Sequence, residues 1–382
     1  MGTTVIENAQ VVLENGIIWD GVILLSGDRI VVAGKKADID IPDDADRIDA
    51  EGAYVGPGFV DIHVHGGGGY LTYKEPEKAA RFFLKHGTTS LLATPLYTQP
   101  LDDFLDSIRL IKEDMKSSKI IKGMYMEGPY MNPKYGSFAD KNPWRGPIDP
   151  AQFTLLVDEA GNDARVWAVA PERPDIVPFL EYARRVNPDV VFAVGHSEAT
   201  PAQIRALGRY KPTIQTHSMC ATGRLPVYEG TRSYGPDEYC FRDNSIYTEM
   251  ISDSCGIHVS PDMQQLLIHN KGIDKTILIT DSTVFDFPSP DNLAHVTDLN
   301  FDHNGGIAGS KLTMNQACRN IMSSTNCGIA QAFIMAATNP ARAVGLGDEL
   351  GSIEPGKIAD LVFVDDRFNV KKVMLCGELC DI

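Results

Sequence analysis

Two histidines separated by a single residue, His63 and His65, precede four glycines in the stretch "VDIHVHGGGG". Successive side chains of a β-strand point to opposite faces, so both imidazoles are expected on one face, where they could bind one metal ion. Glycine adopts backbone conformations that other residues avoid, so the chain after His65 can turn sharply and approach a ligand closely. The spacing therefore predicts a metal-binding pair at the end of a strand.

The elements that must position this pair repeat along the middle of the chain. Short apolar runs, each followed by a segment with helical spacing, occur eight times. Buried apolar strands that alternate with helices indicate a parallel sheet, and eight such units predict an α/β fold, a (β/α)8 barrel of the TIM type. An open doubly wound sheet is the alternative, which the lack of a GxGxxG motif after an early strand disfavours. The eight predicted strands are "GFVDIHVH", "TTSLLATP", "IIKGMYMEGP", "RVWAVAPE", "VVFAVGHS", "PTIQTHS", "SIYTEMIS" and "KTILITDS". Predicted helices include Glu75–His86, Leu101–Ser117, Pro174–Val186, Thr200–Tyr210 and Pro261–Asn270.

Functional residues of such barrels lie at the carboxyl ends of the strands. Five of the predicted strands end in side chains that can bind a metal or carry a proton, namely His63 and His65, Glu127, His196, His217 and Asp281. Imidazoles and carboxylates without a thiolate suit Zn, Fe, Mn or Co rather than Ca or Mg. Six such side chains are more than one four-coordinate ion with an open position needs. The sequence therefore predicts one or two ions and, if there are two, that they share Glu127.

The two ends of the chain have a different pattern. Short β-prone runs separated by Gly-Asp turns fill the first fifty or so residues, and the last thirty or so contain "ADLVFVDD" and "VKKVMLCGE". Neither end is long enough to bury a core of its own. We therefore expect a small β-sandwich built from residues 1–56 and 346–382, with the catalytic barrel, 57–345, inserted between its halves.

Composition excludes several classes of partner. The net charge of −16 disfavours nucleic acid and anionic membranes, which require clustered Lys and Arg, but it allows a small phosphorylated ligand held by one Arg or by backbone N–H groups. Apolar runs are too short for a membrane span, and the first residues do not have the pattern of a secretory signal. Seven scattered cysteines without a CxxC pair predict a reduced, cytoplasmic protein.

Several further residues are expected to be structural. Four histidines lie in predicted helices or loops without partners: His86, His269, His295 and His303. Cys220 and Cys255 are predicted to border the pocket as lining rather than as a nucleophile or metal ligand, because neither has an adjacent base. The segment 285–306 departs from the barrel pattern, and the sequence assigns it no function.

At this point the motifs match a known family. The chain resembles the N-acetylglucosamine-6-phosphate deacetylases of the amidohydrolase superfamily over essentially its full length. The stretches that carry the resemblance are "PGFVDIHVHGGGG" (57–69), "MEGPYMNP" (126–133), "GHSEA" (195–199), "TH" (216–217), "ISDSCGIHVSP" (251–261), "ITDS" (279–282), "IAGSKLTMNQACRN" (307–320) and "NPARAVGLGDELGSIEPGKIADLVFVD" (339–365).

The resemblance implies a homodimer that hydrolyses the N-acetyl group of a hexosamine 6-phosphate. It implies that Asp281 is the catalytic carboxylate and that His258 contacts the substrate. By the same resemblance the principal metal ligands are Glu127, His196 and His217, and the second-metal pair is His63 and His65.

The substrate-recognition positions depart from the family pattern. Phe138, in "KYGSFAD", stands where the family has a substrate-contacting His. Cys220 and Ala221 follow His217 where the family has an Asn-Ala pair that contacts the ligand. The phosphate-binding Arg has no residue in register, so Arg224 and Arg232 are the candidates.

The sequence therefore predicts a metal-dependent deacetylase. The metal would lower the pKa of bound water, and Asp281 would move the water's proton to the leaving amine. The expected substrate is an amino-sugar phosphate, N-acetylglucosamine 6-phosphate or its galactosamine epimer. The alternatives are hydrolysis of another small N-acyl substrate without a phosphate, and a noncatalytic metal-binding relative, which the filled ligand positions oppose.

Overall fold

A parallel barrel forms the centre of the molecule. The computed structural model describes residues 2–223, 228 and 234–381. Its eight barrel strands pair in parallel in the order in which they occur along the chain. All eight apolar runs that were predicted to be strands are strands, so the predicted barrel is confirmed. The barrel strands are Phe59–Val64, Thr88–Ala93, Ile121–Glu127, Ala164–Val169, Val191–Val194, Ile214–Gln215, Tyr247–Ile251 and Thr276–Ile279.

The first and eighth strands meet beneath the site-bearing residues and close the barrel. The N–H of Asp281 donates to the carbonyl of His63 at 3.0 Å. The buried carboxylate of Asp61 accepts from the hydroxyl of Thr280 at 2.5 Å and from its N–H at 3.3 Å. Burial raises the pKa of Asp61 to about 7, while the bonds from Thr280 oppose that rise. The two strands are thus joined by side-chain as well as backbone bonds.

Helices cover the outside of the barrel. Proline occupies the first turn of several of them, where its missing N–H costs nothing, and Thr200 begins one with a capping box to Gln203. All five predicted helices are present, with bounds shifted by a few residues and with 200–210 divided into an α-helix and a 3-10 turn. The α-helices are Pro76–Leu84, Leu101–Met115, Pro150–Ala160, Ile176–Val186, Pro201–Ala206, Pro236–Arg242, Pro261–Lys271, Met314–Thr325, Ile329–Phe333 and Asn339–Ala343, with a π-helical turn at Ile334–Thr338. None of the described helices is both long and apolar enough to cross a membrane.

A second sheet is built from both ends of the chain. Val364 pairs with Tyr54 and Leu361 with Pro57 in an antiparallel ladder, which joins the strand before the barrel to the strand after it. The predicted β unit made from both termini is therefore present, and the exact boundaries at residues 56 and 345 stay a prediction. Its strands are Thr3–Leu13, Gly16–Ser26, Arg29–Lys35, Asp46–Asp49, Tyr54–Pro57, Leu361–Val364, Val370–Leu375 and Glu378–Leu379.

The segment after the eighth strand reaches over the mouth of the barrel. It contains a two-stranded hairpin, Leu299–Phe301 with Ile307–Ser310. Ser310 donates its N–H to the carbonyl of Asp281 at 2.8 Å and accepts from the N–H of Thr283 at 2.9 Å. The hairpin therefore continues the eighth strand and covers one side of the site. A smaller hairpin pairs Gly66–Gly67 with Tyr70–Leu71 directly after the histidine pair.

Candidate metal centre

The strand ends bring the six predicted side chains into one buried cluster. His63 lies within the first strand, His65 follows it directly, and Glu127 ends the third strand. His196, His217 and Asp281 each lie two residues beyond the fifth, sixth and eighth strands. All six are buried, with Asp281 the most exposed at 9%. A cluster of this composition from five separate strands requires the closed barrel.

Three of these residues have a strained backbone. The φ angles of His196, His217 and Asp281 are 44°, 24° and 47°, in the left-handed region that residues with a Cβ avoid. Such conformations cost about 1–3 kcal/mol each and persist only where surrounding contacts hold them. For Asp281 those contacts are the bonds to His63 and Ser310. Strain at three strand ends is consistent with a functional requirement for where these side chains point.

The cluster divides into two overlapping groups, each of which could hold a metal ion. In the first, Glu127 Oε1 lies 2.8 Å from His196 Nε2 and 3.1 Å from His217 Nε2. In the second, Glu127 Oε2 lies 3.1 Å from His65 Nε2, and Oε1 lies 3.7 Å from His63 Nε2. Within each group the ligand atoms lie within 4.8 Å of one another. Glu127 belongs to both groups, as the sequence predicted for two ions.

Three of the four imidazoles are oriented by oxygen atoms outside the groups, which contact Nδ1 and leave Nε2 directed at the centre, whereas His196 Nδ1 has no hydrogen-bond partner among the described residues. The three pairs are His63 with Glu249 Oε2 at 3.2 Å, His65 with the Thr94 carbonyl at 3.0 Å, and His217 with the Cys220 carbonyl at 3.2 Å. A hydrogen-bonded Nδ1–H leaves the Nε2 lone pair free for a metal. His63 Nε2 is buried and has no hydrogen-bond partner among the described residues. A divalent metal ion would satisfy this atom, so the residues fit the cofactor.

The electrostatics of the cluster favour a bound cation. Burial would raise the pKa of Glu127, but the charge and hydrogen bonds of the neighbouring histidines hold it well below its usual range. Burial would lower the pKa of His65, but its bonds to Asp281 and Glu127 raise it to about 10. Burial would lower the pKa of His217, but its bond to Glu127 raises it to about 9. The buried carboxylates are therefore stabilised by nearby positive charge. In the metal-free chain protons on the histidines supply this charge, and these protons are released when a metal binds.

A cavity of about 390 Å³ opens beside the cluster. Its floor includes His65, Glu127, His196, His217 and Asp281, and its size suits a small-molecule substrate. The described residues of its outer wall are mostly apolar. They include Leu96, Tyr97, Met219, Cys220, Ala221, Ile257, Phe285, Ile307 and Ala308.

His258 enters the cavity from the loop after the seventh strand. Its Nδ1 lies 3.1 Å from Asp253 Oδ2, which also accepts the His258 N–H at 2.8 Å. Burial would raise the pKa of Asp253, but its bonds from His258 and Ile257 lower it. His258 Nε2 is buried, and among the described residues it has no hydrogen-bond partner, so it is available to a substrate. Asp253 was missed from the sequence, although its spacing to His258 in "DSCGIH" was a usable signal.

The predicted recognition residues are distributed differently. Cys220 and Ala221 line the cavity, and burial raises the pKa of the Cys220 thiol, which disfavours a thiolate nucleophile. Phe138 is buried against Phe285 and stacks on His303 at 5.4 Å, so it supports the wall rather than forming the described lining. Cys255 is exposed. Arg224 and Arg232 lie outside the described residues.

Tyr97 and Gly136 are cavity residues that sequence reasoning missed. The Tyr97 ring packs edge-on against His196 with a centroid distance of 5.5 Å, and its hydroxyl donates to the carbonyl of Ser137. Gly136 has φ +99° and passes so close to the His196 ring that a Cβ at this position would lie 2.4 Å from Nδ1. No isolated motif marks either residue in the sequence.

A parallel eight-stranded barrel with a buried His/Glu cluster at its strand ends defines a metal-dependent hydrolase, and the chain belongs to the amidohydrolase family, whose model matches residues 54–380. It is similar to the N-acetylglucosamine-6-phosphate deacetylase of Bacillus subtilis, with 27% identity over 99% of this chain and 97% of the relative. It is 28% identical to the N-acetylgalactosamine-6-phosphate deacetylase of Escherichia coli O157:H7 over 85% of this chain and 86% of the relative. A variant N-acetyl-D-glucosamine-6-phosphate deacetylase from Mycobacterium smegmatis, solved in complex with N-acetyl-D-glucosamine 6-phosphate, superimposes with a TM-score of 0.83 at 28% identity, covering 99% of both chains.

Proposed function

We propose that this enzyme hydrolyses the N-acetyl group of N-acetylglucosamine 6-phosphate to give glucosamine 6-phosphate and acetate. The observation that carries the proposal is the Glu127, His196 and His217 group facing one cavity with Asp281, in a chain that matches deacetylases over nearly its full length. The carboxylate and imidazoles are the donors that divalent transition metals prefer. We propose Zn, Fe, Mn or Co as the metal, with Glu127, His196 and His217 holding the principal ion and His63 and His65 joining Glu127 for a second.

Amide hydrolysis needs an activated water and a protonated leaving nitrogen. A divalent ion held by these residues supplies Lewis acidity, which lowers the pKa of water toward neutrality and polarises a carbonyl. Asp281 then moves the proton, because it lies at the edge of the centre, 3.4 Å from His65 Nε2, and also lines the cavity. Its pKa is lowered, since bonds and charge from the histidines outweigh burial, so it is a carboxylate ready to accept the water's proton. The water oxygen bonds to the acetyl carbon, and delivery of that proton to the leaving nitrogen lets the carbon–nitrogen bond break, which gives acetate and the free amine.

The cavity wall would orient the sugar. The bare Nε2 of His258, whose ring is fixed by Asp253, is placed to accept a hydrogen bond from a sugar hydroxyl. Ala221 and Cys220 lie beside it on the same wall. No Lys or Arg is among the described residues that line this cavity. We therefore assign the 6-phosphate to Arg224 or Arg232, and Phe138 to shaping the wall through Phe285.

The cellular setting follows from the same proposal. An amino-sugar phosphate is a metabolite of the cytoplasm, and all seven cysteines are free, which suits a reducing compartment. We propose that the protein is cytoplasmic and that it forms a homodimer. Light scattering of the purified protein would test the dimer directly.

Two other substrates are candidates, a small N-acyl compound without a phosphate and the galactosamine epimer. The apolar outer wall, with Leu96, Ile257 and Ile307, favours the first, because it suits a substrate less polar than a sugar phosphate. The similarity to the galactosamine deacetylase of Escherichia coli O157:H7 favours the other epimer. Either candidate keeps the same metal centre and the same role for Asp281.

Acetate release against four sugars separates these candidates. Metal-loaded protein is given N-acetylglucosamine or N-acetylgalactosamine, each with and without the 6-phosphate. We expect turnover of the phosphorylated sugars, fastest for the glucosamine form, and a much lower kcat/KM for the unphosphorylated pair. Equal turnover with and without phosphate would contradict an anion site, and no acetate from any of the four would contradict the proposed substrate class.

A further inference from the structure

Glu249 is a buried carboxylate that the proposed chemistry leaves without a role. It lies in the seventh barrel strand, its side chain is 0% exposed, and it is not among the described residues that line the cavity. A buried carboxylate is costly unless it is paired. Its Oε2 lies 3.2 Å from His63 Nδ1 and also accepts the backbone N–H of His217 at 3.1 Å. One oxygen thus contacts histidines from two other strands.

The ring of His63 is held between Glu249 and the metal centre. Nδ1 faces Glu249, and the ring stacks on Tyr125 with a centroid distance of 4.5 Å and an interplanar angle of 26°. The opposite nitrogen, Nε2, lies 3.7 Å from Glu127 Oε1 and 3.8 Å from Asp281 Oδ1. These distances are too long for hydrogen bonds but leave space for an ion between the atoms. The ring is therefore fixed with a bare, buried lone pair directed at the centre.

The hydrogen-bond partner of His63 Nδ1 differs in kind from the partners of Nδ1 in His65 and His217. His65 and His217 rest on backbone carbonyls, whereas His63 rests on a carboxylate. A charged acceptor makes a stronger hydrogen bond than a neutral one and makes the opposite nitrogen a better metal donor. His63 is thus the histidine whose ligand strength depends most on a charged side chain.

We propose that Glu249 is the positioning residue that makes His63 a metal ligand and so builds the second metal group, His63 with His65 and Glu127. The inference rests on the proposed function only in requiring that the centre bind divalent ions. Because the same oxygen accepts the His217 N–H, Glu249 also connects the second group to the backbone of the first. Its contact with His217 does not involve the imidazole, so its loss should affect the two groups unequally.

Zinc titration of the metal-free protein tests this assignment without any substrate. Zn²⁺ is added in a chelator buffer, and the ions bound per chain are counted for the wild type and for Glu249→Gln. We expect two ions in the wild type, with the affinity for the weaker ion reduced about 10- to 100-fold in E249Q and the affinity for the stronger ion nearly unchanged. The amide keeps the shape of Glu249 but removes its charge and can turn a donor toward His63.

A double variant decides whether Glu249 acts through His63. His63→Ala should remove the weaker ion, and H63A/E249Q should bind zinc as H63A alone does. The matched control is Asp360→Asn, a buried carboxylate directly before the strand Leu361–Val364 of the sheet built from both ends of the chain, and it should leave both ions unchanged. If E249Q does not fold, Glu249→Asp, which withdraws the charge from His63 by one methylene, should weaken the same ion by a smaller factor.

Three results would overturn the assignment: a single ion in the wild type, equal weakening of both ions in E249Q, or unchanged binding of both. A fourth result, a loss of zinc affinity in H63A/E249Q beyond that in H63A, would also overturn it, because Glu249 would then act by a route other than His63. None of these readouts depends on acetate release, so a wrong substrate would leave the assignment intact, and a wrong assignment would leave the deacetylase proposal intact.

Discussion

Asp281 occupies the boundary between the metal centre and the substrate cavity. Its carboxylate contacts His65 on one side and lines the cavity on the other. Its left-handed backbone is held by bonds to His63 and Ser310, so the side chain has little freedom to leave this position. These features suit a group that must accept a proton from water and return it to the leaving nitrogen within one turnover.

Replacement of Asp281 by Asn should therefore abolish proton transfer while keeping the shape of the site. We expect kcat for acetate release to fall about 100- to 10,000-fold, the range typical of general acid–base groups. Metal content should stay at the wild-type level, because Glu127 and the histidines supply the ligands. Acetate release and metal analysis on the same preparation measure both quantities.

Asp298→Asn serves as the control, since this buried aspartate bonds Ser254 rather than a cavity group. It should retain wild-type kcat. A kcat for D281N within a few-fold of wild type would show that Asp281 does not carry the proton, and loss of metal would show that it acts as a ligand.

The residues of the buried cluster could be predicted individually because each lies at the end of an apolar run. Parallel strands of a barrel bring their carboxyl ends together, so position along the sequence was enough for His63, Glu127 and His217. Glu249 could not be predicted in this way, because its partner His63 is 186 residues away and its strand gives no sign of a polar role. The roles of all these residues stay predictions until they are measured.

The loop after the third strand passes close to the centre. Gly136 lies in this loop at φ +99°, and a Cβ there would meet His196 Nδ1 and the Tyr97 hydroxyl, each at 2.4 Å. Both neighbours are buried. Neither has free space to move into without disturbing the first metal group or the cavity wall.

We expect Gly136→Ala to displace His196 or lift the loop. A shift of about 1 Å in a catalytic group can cost about 100-fold in rate, so kcat/KM should fall by roughly that factor, together with metal affinity. Acetate kinetics and zinc titration of the purified variant measure the two effects.

Gly146→Ala is the matched control on the same segment, because its φ is −72° and a Cβ there would meet nothing within 4 Å. It should behave as wild type. If G136A and G146A have the same activity, the close approach of Gly136 to His196 has no functional role.

At the scale of elements, strands were more predictable than the shorter helices and the covering segment. A continuous apolar run marks a buried parallel strand, so all eight were found. Pro236–Arg242 spans only seven residues, too few to show a helical repeat clearly. The hairpin in 285–310 has strands of three and four residues whose positions depend on Asp281 and Ser310, which no local pattern reveals.

At the scale of the whole molecule, the metal centre depends on barrel closure. The six side chains of its cluster come from five strands, and the first and eighth strands are joined directly beneath it by Asp61 and Thr280. In the sheet built from both ends of the chain, the strand before the barrel, Tyr54–Pro57, pairs with the strand after it, Leu361–Val364. The division into barrel and β unit was visible in the sequence, since the two have different periodicities, whereas the bonds that close the barrel were not.

The most direct test of the account measures acetate released from N-acetylglucosamine 6-phosphate by the protein before chelation, after chelation, and after return of Zn²⁺, Mn²⁺, Co²⁺ or Fe²⁺. We predict that chelation abolishes acetate release, that at least one of these ions restores it, and that glucosamine 6-phosphate appears in equal amount. A folded, metal-restored protein that releases no acetate from this sugar or from its galactosamine epimer would contradict the account.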